Sequence, residues 1–304
     1  MNENEIIIQH LNKSYGKRQV LFDLNLTICK GMFGLLGRNG AGKTTLMKII
    51  STLVNKGSGN ITVCGIPIEN AKEIRRIIGF LPQEFSMYPG MTVQETLDYL
   101  GILSDMDKAA RKRQIPLLLE KLNLTEHRNK KVKALSGGMK RRLGIAQALL
   151  HNPRVVIVDE PTAGLDPEER IRFRNLLCEI AGERIVILST HIVGDVEATC
   201  EDVAVLDGGR ILFRGRVTDM INAAKDKVFT LVVRKDELAD IKRRYIVTGM
   251  TATGGKTTVR IVADERPHPH AKACEPNVED GYMYCLCRNG AKIQGHKPET
   301  GGGQ

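Results

Sequence analysis

The sequence has 304 residues, 42% hydrophobic and 26% charged, which suits one large packed domain with room for a smaller one and excludes wholesale disorder. Its longest apolar run, Tyr282 to Cys287, is six residues against the ~20 a membrane-spanning helix needs, and MNENEIIIQH lacks the apolar core of a standard secretory signal. Forty-five Lys plus Arg against 35 Asp plus Glu leave a net charge of +10, which suits an anionic partner (nucleotide, nucleic acid or acidic membrane), and seven scattered cysteines fit a reducing cytoplasmic compartment.

In chain order, Ile6 to Ile8 and Val20 to Ile28 read as two short strands. Leu24, Leu26 and Ile28 share one face of the second. Met32 to Leu36 is an apolar strand that runs into a glycine-rich loop, and Thr44 to Leu53 has helical spacing. From Glu84 to Leu150 the texture is helical. Thr92 to Glu95 is a capping box, Arg111 to Leu124 is a helix interrupted or restarted at Pro116, and a third helix runs from Gly137 to Leu150. Strands return at Val155 to Val158, Ile185 to Leu188 and Val203 to Leu206, with a helix from Pro167 to Ala181. The alternation predicts an α/β core into which the helical block is inserted. Past a boundary near 215–226, strands at Phe229 to Val233 and Thr257 to Val262 flank a helix at Glu237 to Tyr245 and a glycine-threonine loop at Gly249 to Gly255. The predicted units are 1–220, with its helical part at about 84–150, a small α+β unit at 221–292 and a disordered tail at 293–304.

Gly37-Arg38-Asn39-Gly40-Ala41-Gly42-Lys43-Thr44 matches G-x-x-x-x-G-K-[ST] between a strand and a helix, the setting of a phosphate-binding loop. Glycines let the backbone amides turn inward on phosphate oxygens, Lys43 reaches the β and γ phosphates, and Thr44 offers a hydroxyl to Mg²⁺. A GTPase would add N-K-x-D. The Asn-Lys pairs at Asn12, Asn55 and Asn129 have Tyr15, Ser58 and Val132 where the Asp belongs. Val155 to Val158 ends in Asp159-Glu160, a carboxylate pair suited to holding Mg²⁺ (Asp159) and activating a water (Glu160). Leu135-Ser136-Gly137-Gly138-Met139 opens a helix with a second anion-binding geometry. An ordinary capped helix is the plainer reading of those residues alone. Gln83, after Phe80-Leu81-Pro82, suits Mg²⁺ or the water. His191 suits the γ-phosphate or a purely structural place, Asp166 a facing subunit, and Tyr15 stacking on a base.

Together these residues resemble the ATP-binding subunit of ABC transporters. GRNGAGKTT at Gly37 to Thr45 corresponds to Walker A, Gln83 to the Q-loop and LSGGM at Leu135 to Met139 to the signature. VVIVDEP at Val155 to Pro161 corresponds to Walker B, AGLD at Ala163 to Asp166 to the D-loop, His191 to the switch histidine and Tyr15 to the A-loop aromatic. The resemblance spans about residues 5–218. It implies a P-loop ATPase with ATP and Mg²⁺, catalysis by Glu160, His191, Lys43 and Gln83, and metal contacts from Thr44, Gln83 and Asp159. Nucleotide contacts come from Tyr15, from Gly37 to Thr45 (Gly37, Arg38, Asn39, Gly40, Ala41, Gly42, Lys43, Thr44, Thr45), and from Ser136, Gly137, Gly138 and Asp166. It further implies a head-to-tail dimer on the cytoplasmic face of the membrane, peripheral and docked through the helical block to a separate permease, with no nucleic acid partner.

Two features depart from the wider family or narrow it. Arg38 stands where Pro is usual, with its side chain expected to point out of the loop. GGM followed by KRR, and VEDGYMY near Val278, look like the ABC-2-type, exporter-like branch. An importer subunit, or a soluble ABC ATPase working on ribosomes or nucleic acid, is the alternative. The basic runs Arg111 to Arg113, Lys130 to Lys133 and Lys140 to Arg142 read as solvated faces, or as contacts to lipid or a membrane partner. His268, His270, Cys274, Cys285 and Cys287 have zinc-compatible chemistry but not its spacing, and read as a loop followed by a strand.

Overall fold

The computed structural model describes residues 4–290; the expected disordered tail at 293–304 lies outside them. β1 (Glu5–Tyr15) and β2 (Arg18–Cys29) form an antiparallel hairpin, longer than the apolar pattern indicated. Register shifts between Ile8 and Leu11 and again near Lys13 break the alternation while the ladder continues. β3 (Gly31–Leu36) leads through the glycine loop into α1 (Lys43–Ile50). That helix stops short of the predicted Leu53, which is 59% exposed. Ser51 Oγ turns back onto Met47 O at 2.8 Å, and Thr52 takes φ of 58°.

β4 (Ser58–Val63) and the two-residue β5 (Ile66–Pro67) extend the β1–β2 sheet, and α2 (Ala71–Ile77) leads into β6 (Ile78–Leu81). α3 (Val93–Leu103) starts at the predicted capping box. Glu95 N–H donates to Thr92 Oγ1 at 3.2 Å and Thr92 N–H to Glu95 Oε2 at 2.8 Å. α4 (Lys108–Lys121) runs through Pro116 rather than breaking there, because Ile115, Leu118 and Leu119 anchor both sides of the proline in the core. Pro116 itself is exposed. Pro116→Ala restores one helical hydrogen bond and relieves the ring clash, against a smaller loss of chain stiffness in the unfolded state. We expect a gain of about 1–2 kcal/mol in urea unfolding; an unchanged or lower midpoint would refute the tolerated-strain reading.

α5 (Gly137–Leu149), β7 (Val155–Asp159), α6 (Pro167–Ala181), β8 (Ile185–Thr190), α7 (Val193–Thr199), β9 (Asp202–Asp207), β10 (Arg210–Arg216) and α8 (Val217–Asn222) follow. Among the described residues the central sheet has the order β10-β9-β3-β8-β7-β6, parallel except for β10 against β9. Its central strands β3, β8 and β7 are largely apolar because both their faces are covered. Val155 and Ile157 of β7, with Ile185 and Ile187 of β8, face a core shared with α1 and the hairpin. Val156, Val158, Val186 and Leu188 face a second core shared with α5, α6 and the helical block. Each such side chain contributes about 1.5–3 kcal/mol of burial. Because β3, β7 and β8 run parallel, their C-terminal ends open on one edge of the sheet.

The C-terminal region holds β11 (Val228–Val233), α9 (Leu238–Arg244), β12 (Ile246–Thr253), β13 (Lys256–Val262), β14 (Lys272–Ala273) and α10 (Val278–Arg288). Its sheet has the order β12-β13-β11-β14 among the described residues. Two expectations are corrected here. The loop predicted at Gly249 to Gly255 is mostly strand β12, with left-handed φ confined to Gly254 and Gly255. Cys285 and Cys287, read as strand residues, lie on α10, whose Val278, Tyr282, Cys285 and Leu286 are spaced for one helical face. That face enters the same apolar core as Val203 and Met220. His268 and His270 are exposed, and among the described residues no group of three or more His, Cys, Asp or Glu is arranged to hold a metal. No helix among the described residues is long and apolar enough to cross a membrane.

Candidate active site

The loop after β3 is shaped by close approach. Gly37 N–H donates to Thr190 O at 3.2 Å, and a Cβ on Gly37 would stand 2.3 Å from Leu206 O. Gly42 takes φ of 110°, where a Cβ would meet Leu21 Cδ2 at 2.7 Å, so glycine is required on both grounds. Gly42 is also the N-cap of α1, and no side chain caps that helix start. Its first amides therefore face the loop as anion donors.

Lys43 and Glu160 meet at the centre of the strand ends. Lys43 Nζ lies 2.7 Å from Gly37 O, 3.3 Å from Arg38 O and 3.2 Å from Glu160 Oε1, and both side chains are 5% exposed. Glu160 follows β7 with φ of 49°, and its N–H donates to Ser189 O at 2.9 Å. That left-handed turn swings the carboxylate away from the strand axis. Oε2 then meets His191 Nδ1 at 2.7 Å, while Oε1 has the ion pair with Lys43 and no hydrogen bond. Such a buried, incompletely satisfied carboxylate is costly unless a further donor arrives.

Asp159, 1% exposed, accepts from Thr44 Oγ1 at 2.8 Å through Oδ2 and from Ser189 Oγ at 2.7 Å through Oδ1. An alcohol and a carboxylate in contact are hard oxygen donors of the kind Mg²⁺ takes. The cradle, the ammonium and these oxygens fit a magnesium–nucleotide polyphosphate. A cavity of about 620 Å³ opens over them, lined by Tyr15, Lys43, Thr44, Gln83 and Glu160 among others. Tyr15 is 47% exposed, with Lys13 Nζ 5.0 Å above its ring.

Arg38 to Thr45 of the phosphate loop line that cavity, whereas the residues at the starts of α5 and α6 sit apart from it. Ser136 caps α5 by accepting from Met139 N–H at 3.2 Å, and Asp166 caps α6 by accepting from Glu169 N–H at 2.8 Å. Neither Ser136, Gly137 and Gly138 nor Asp166 lines the 620 Å³ cavity. The Arg38 side chain, expected to point out of the loop, is forked onto Asp207 of β9, at 2.9 and 2.8 Å. In the run Lys140 to Arg142, Lys140 is exposed as a solvated face would have it, but Arg141 and Arg142 are not. Arg141 reaches Ala163 O at 3.0 Å and Glu160 O at 3.5 Å, burial pushes its pKa down, and Arg142 pairs with Glu169 at 3.0 Å. Turn carbonyls draw Arg141 inward, and the Glu169 carboxylate draws Arg142.

Sequence reasoning missed Asp195. It is fully buried on α7 and accepts from Thr162 Oγ1 at 2.5 Å and Arg170 Nε at 2.8 Å. It thus joins the turn after Glu160, the helix capped by Asp166 and the helix after His191. Only the clustering of charge on helices flanking the turn hinted at such a partner.

The chain is similar to known proteins over most of its length. The profile of the family described as "ABC transporter" matches residues 21–163. A "Nod factor export ATP-binding protein I" of Cupriavidus pinatubonensis is 38% identical over 71% of this chain and 67% of its own length. A protein of the same name from Rhizobium meliloti is 34% identical over 91% of this chain and 87% of its own. A solved dimeric ATP-binding cassette in a post-hydrolysis state, bound to ADP and Pi, superposes with a TM-score of 0.63 at 26% identity, covering 69% of this chain and 98% of that one.

Proposed function

Because the chain belongs to the ABC transporter family as an ATP-hydrolysing ATP-binding subunit, we propose that it is the motor of an exporter of the ABC-2 type, working in pairs on a separate membrane permease. The observation that carries the reading is the buried contact of Glu160 with both Lys43 and His191 at the open edge of the sheet. In this reading Lys43 and the amides of Gly37 to Thr45 bind the polyphosphate of ATP, and Tyr15 stacks on the adenine. Thr44, Asp159 and Gln83 would hold Mg²⁺, which when bound would supply charge neutralisation on the phosphates. ATP takes Lys43 over from Glu160, and the freed carboxylate accepts the proton of the attacking water. His191, hydrogen-bonded to Glu160, orients it and stabilises charge on the γ-phosphate.

The separation of Ser136 to Gly138 and Asp166 from the cavity supports a site completed by a second copy, head to tail. The helical block at about 84–150 supplies the permease contact. A groove of about 670 Å³ runs from Thr44, Gln83 and Asp159 to Leu103, itself 60% exposed. An apolar helix of the permease fits there, and Gln83 touches both groove and nucleotide cavity. The names of the relatives, the GGM signature and a match that extends through the C-terminal region support export and the ABC-2 branch. The units 1–220 and 221–292 serve as motor and accessory parts, on the cytoplasmic face of the membrane.

Co-purification in mild detergent with ATP and Mg²⁺ tests the assignment. A stoichiometric polytopic membrane protein is the expected companion; ribosomes or nucleic acid in its place would overturn the transporter reading. Tyr15→Ala tests the base contact. Loss of a stacked aromatic is worth about 1–3 kcal/mol, so KM for ATP should rise roughly tenfold with little change in kcat. An unchanged KM would remove Tyr15 from the site.

A further inference from the structure

The end of β9 and the turn that follows it touch the phosphate loop at three points. Arg38 lays Nε on Asp207 Oδ1 at 2.9 Å and Nη2 on Oδ2 at 2.8 Å. Gly209 N–H donates to Ala41 O at 3.0 Å. Leu206 O sits where a Cβ of Gly37 would be, 2.3 Å away. Asp207 is well shielded, with its side chain 15% exposed. A planar guanidinium forked onto a shielded carboxylate is among the stronger and more directional side-chain contacts.

A loop that depends on left-handed glycines is intrinsically loose. Gly40 and Gly42 take φ of 80° and 110°. Their freedom must be restrained before the loop amides converge on phosphate oxygens. The usual proline at position 38 would stiffen the loop from within, by fixing φ. Here Arg38 anchors it from outside. α10 packs against β9 and β10 beside this anchor, with its Tyr282 7% exposed. Burial pushes the pKa of that phenol up to about 12.

We propose that Arg38 and Asp207 form a positioning clamp that holds the phosphate loop in its nucleotide-receiving shape against the β9–β10 turn. The clamp rests on the reading of Gly37 to Thr45 as the ATP site. Arg38 borders the nucleotide cavity, but its Nε and Nη2 face Asp207, and it is its backbone carbonyl that meets Lys43 at the catalytic centre. The clamp therefore acts on ATP capture and not on the chemical step.

The test is steady-state ATPase kinetics of the full chain with Arg38→Ala, Asp207→Ala and the double variant. Each single change should raise KM for ATP roughly tenfold, with kcat within about twofold of wild type. The double change should be no worse than either single one, because both break one pair. Arg38→Lys keeps the charge but not the fork, and should recover only part of the loss. Asp207→Asn, which keeps the size of the side chain, gives the same reading if alanine unfolds the turn. A merely structural role would lower the active fraction, and so apparent kcat, at constant KM. An active wild type whose single variants keep KM within twofold overturns the clamp alone, as do single effects that add in the double variant. A wild type that neither binds nor hydrolyses ATP overturns the ATPase reading and the clamp with it.

Discussion

Replacing Glu160 with glutamine should cut ATP turnover by roughly 10²–10⁴-fold while leaving ATP binding and ATP-driven dimerisation intact. Glutamine keeps the shape of the side chain and its contact with His191 Nδ1, now 2.7 Å from Oε2, in one of its two amide orientations. It cannot take a proton from water. It also removes the partner that holds Lys43 at 3.2 Å, so the lysine is freer to meet phosphate. Nucleotide affinity should therefore stay level or rise. Rapid-quench measurement of phosphate formation, with size-exclusion chromatography in ATP, reads both halves. A variant that hydrolyses within tenfold of wild type would show that another group accepts the proton.

Asp195→Ala should be the most damaging change outside the nucleotide cavity, lowering stability by about 3–5 kcal/mol. The carboxylate is fully buried and serves Thr162, Arg170 and Arg174. Removing it strands a buried hydroxyl, and leaves two partly buried guanidinium groups facing each other without their shared anion. Asp195→Asn keeps an acceptor for Thr162 and should cost less than half as much. Urea unfolding gives the comparison. An alanine variant with a wild-type midpoint would mean the network is slack. The folded fraction should also hydrolyse ATP more slowly, since Glu160 and Asp166 stand a few residues from groups that Asp195 holds, and His191 a few residues from Asp195 itself.

What was legible in the sequence is what chemistry requires to be contiguous. The phosphate loop needs its glycines, lysine and threonine in one turn, and Asp159-Glu160 needs a buried strand in front of it. Both patterns survive as strings, and the structure sets them at the ends of β3 and β7 as the alternation implied. What was hidden depends on distant partners. Nothing local to Arg38 names Asp207, 169 positions away, and nothing local to Arg141 names the carbonyl of Ala163. Strands β4 and β12 escaped because glycine and polar residues dilute their apolar alternation, and they form because a neighbouring strand supplies the ladder. Pro116 misled in the opposite sense, since packing of Leu118 and Leu119 outweighs its local preference.

The placement of α10 bears on how the chain is made. Its Val278, Tyr282 and Leu286 complete an apolar core begun by Val156, Val186 and Val203, elements synthesised well before it. During vectorial synthesis the parallel sheet therefore waits with a greasy flank open to solvent, beside its long-range strand pairings that are already slow to form. The late helix acts as a closing plug. Messages or truncations that stop short of Asn277 should yield a nascent chain that chaperones retain, even though every phosphate-loop residue has already emerged.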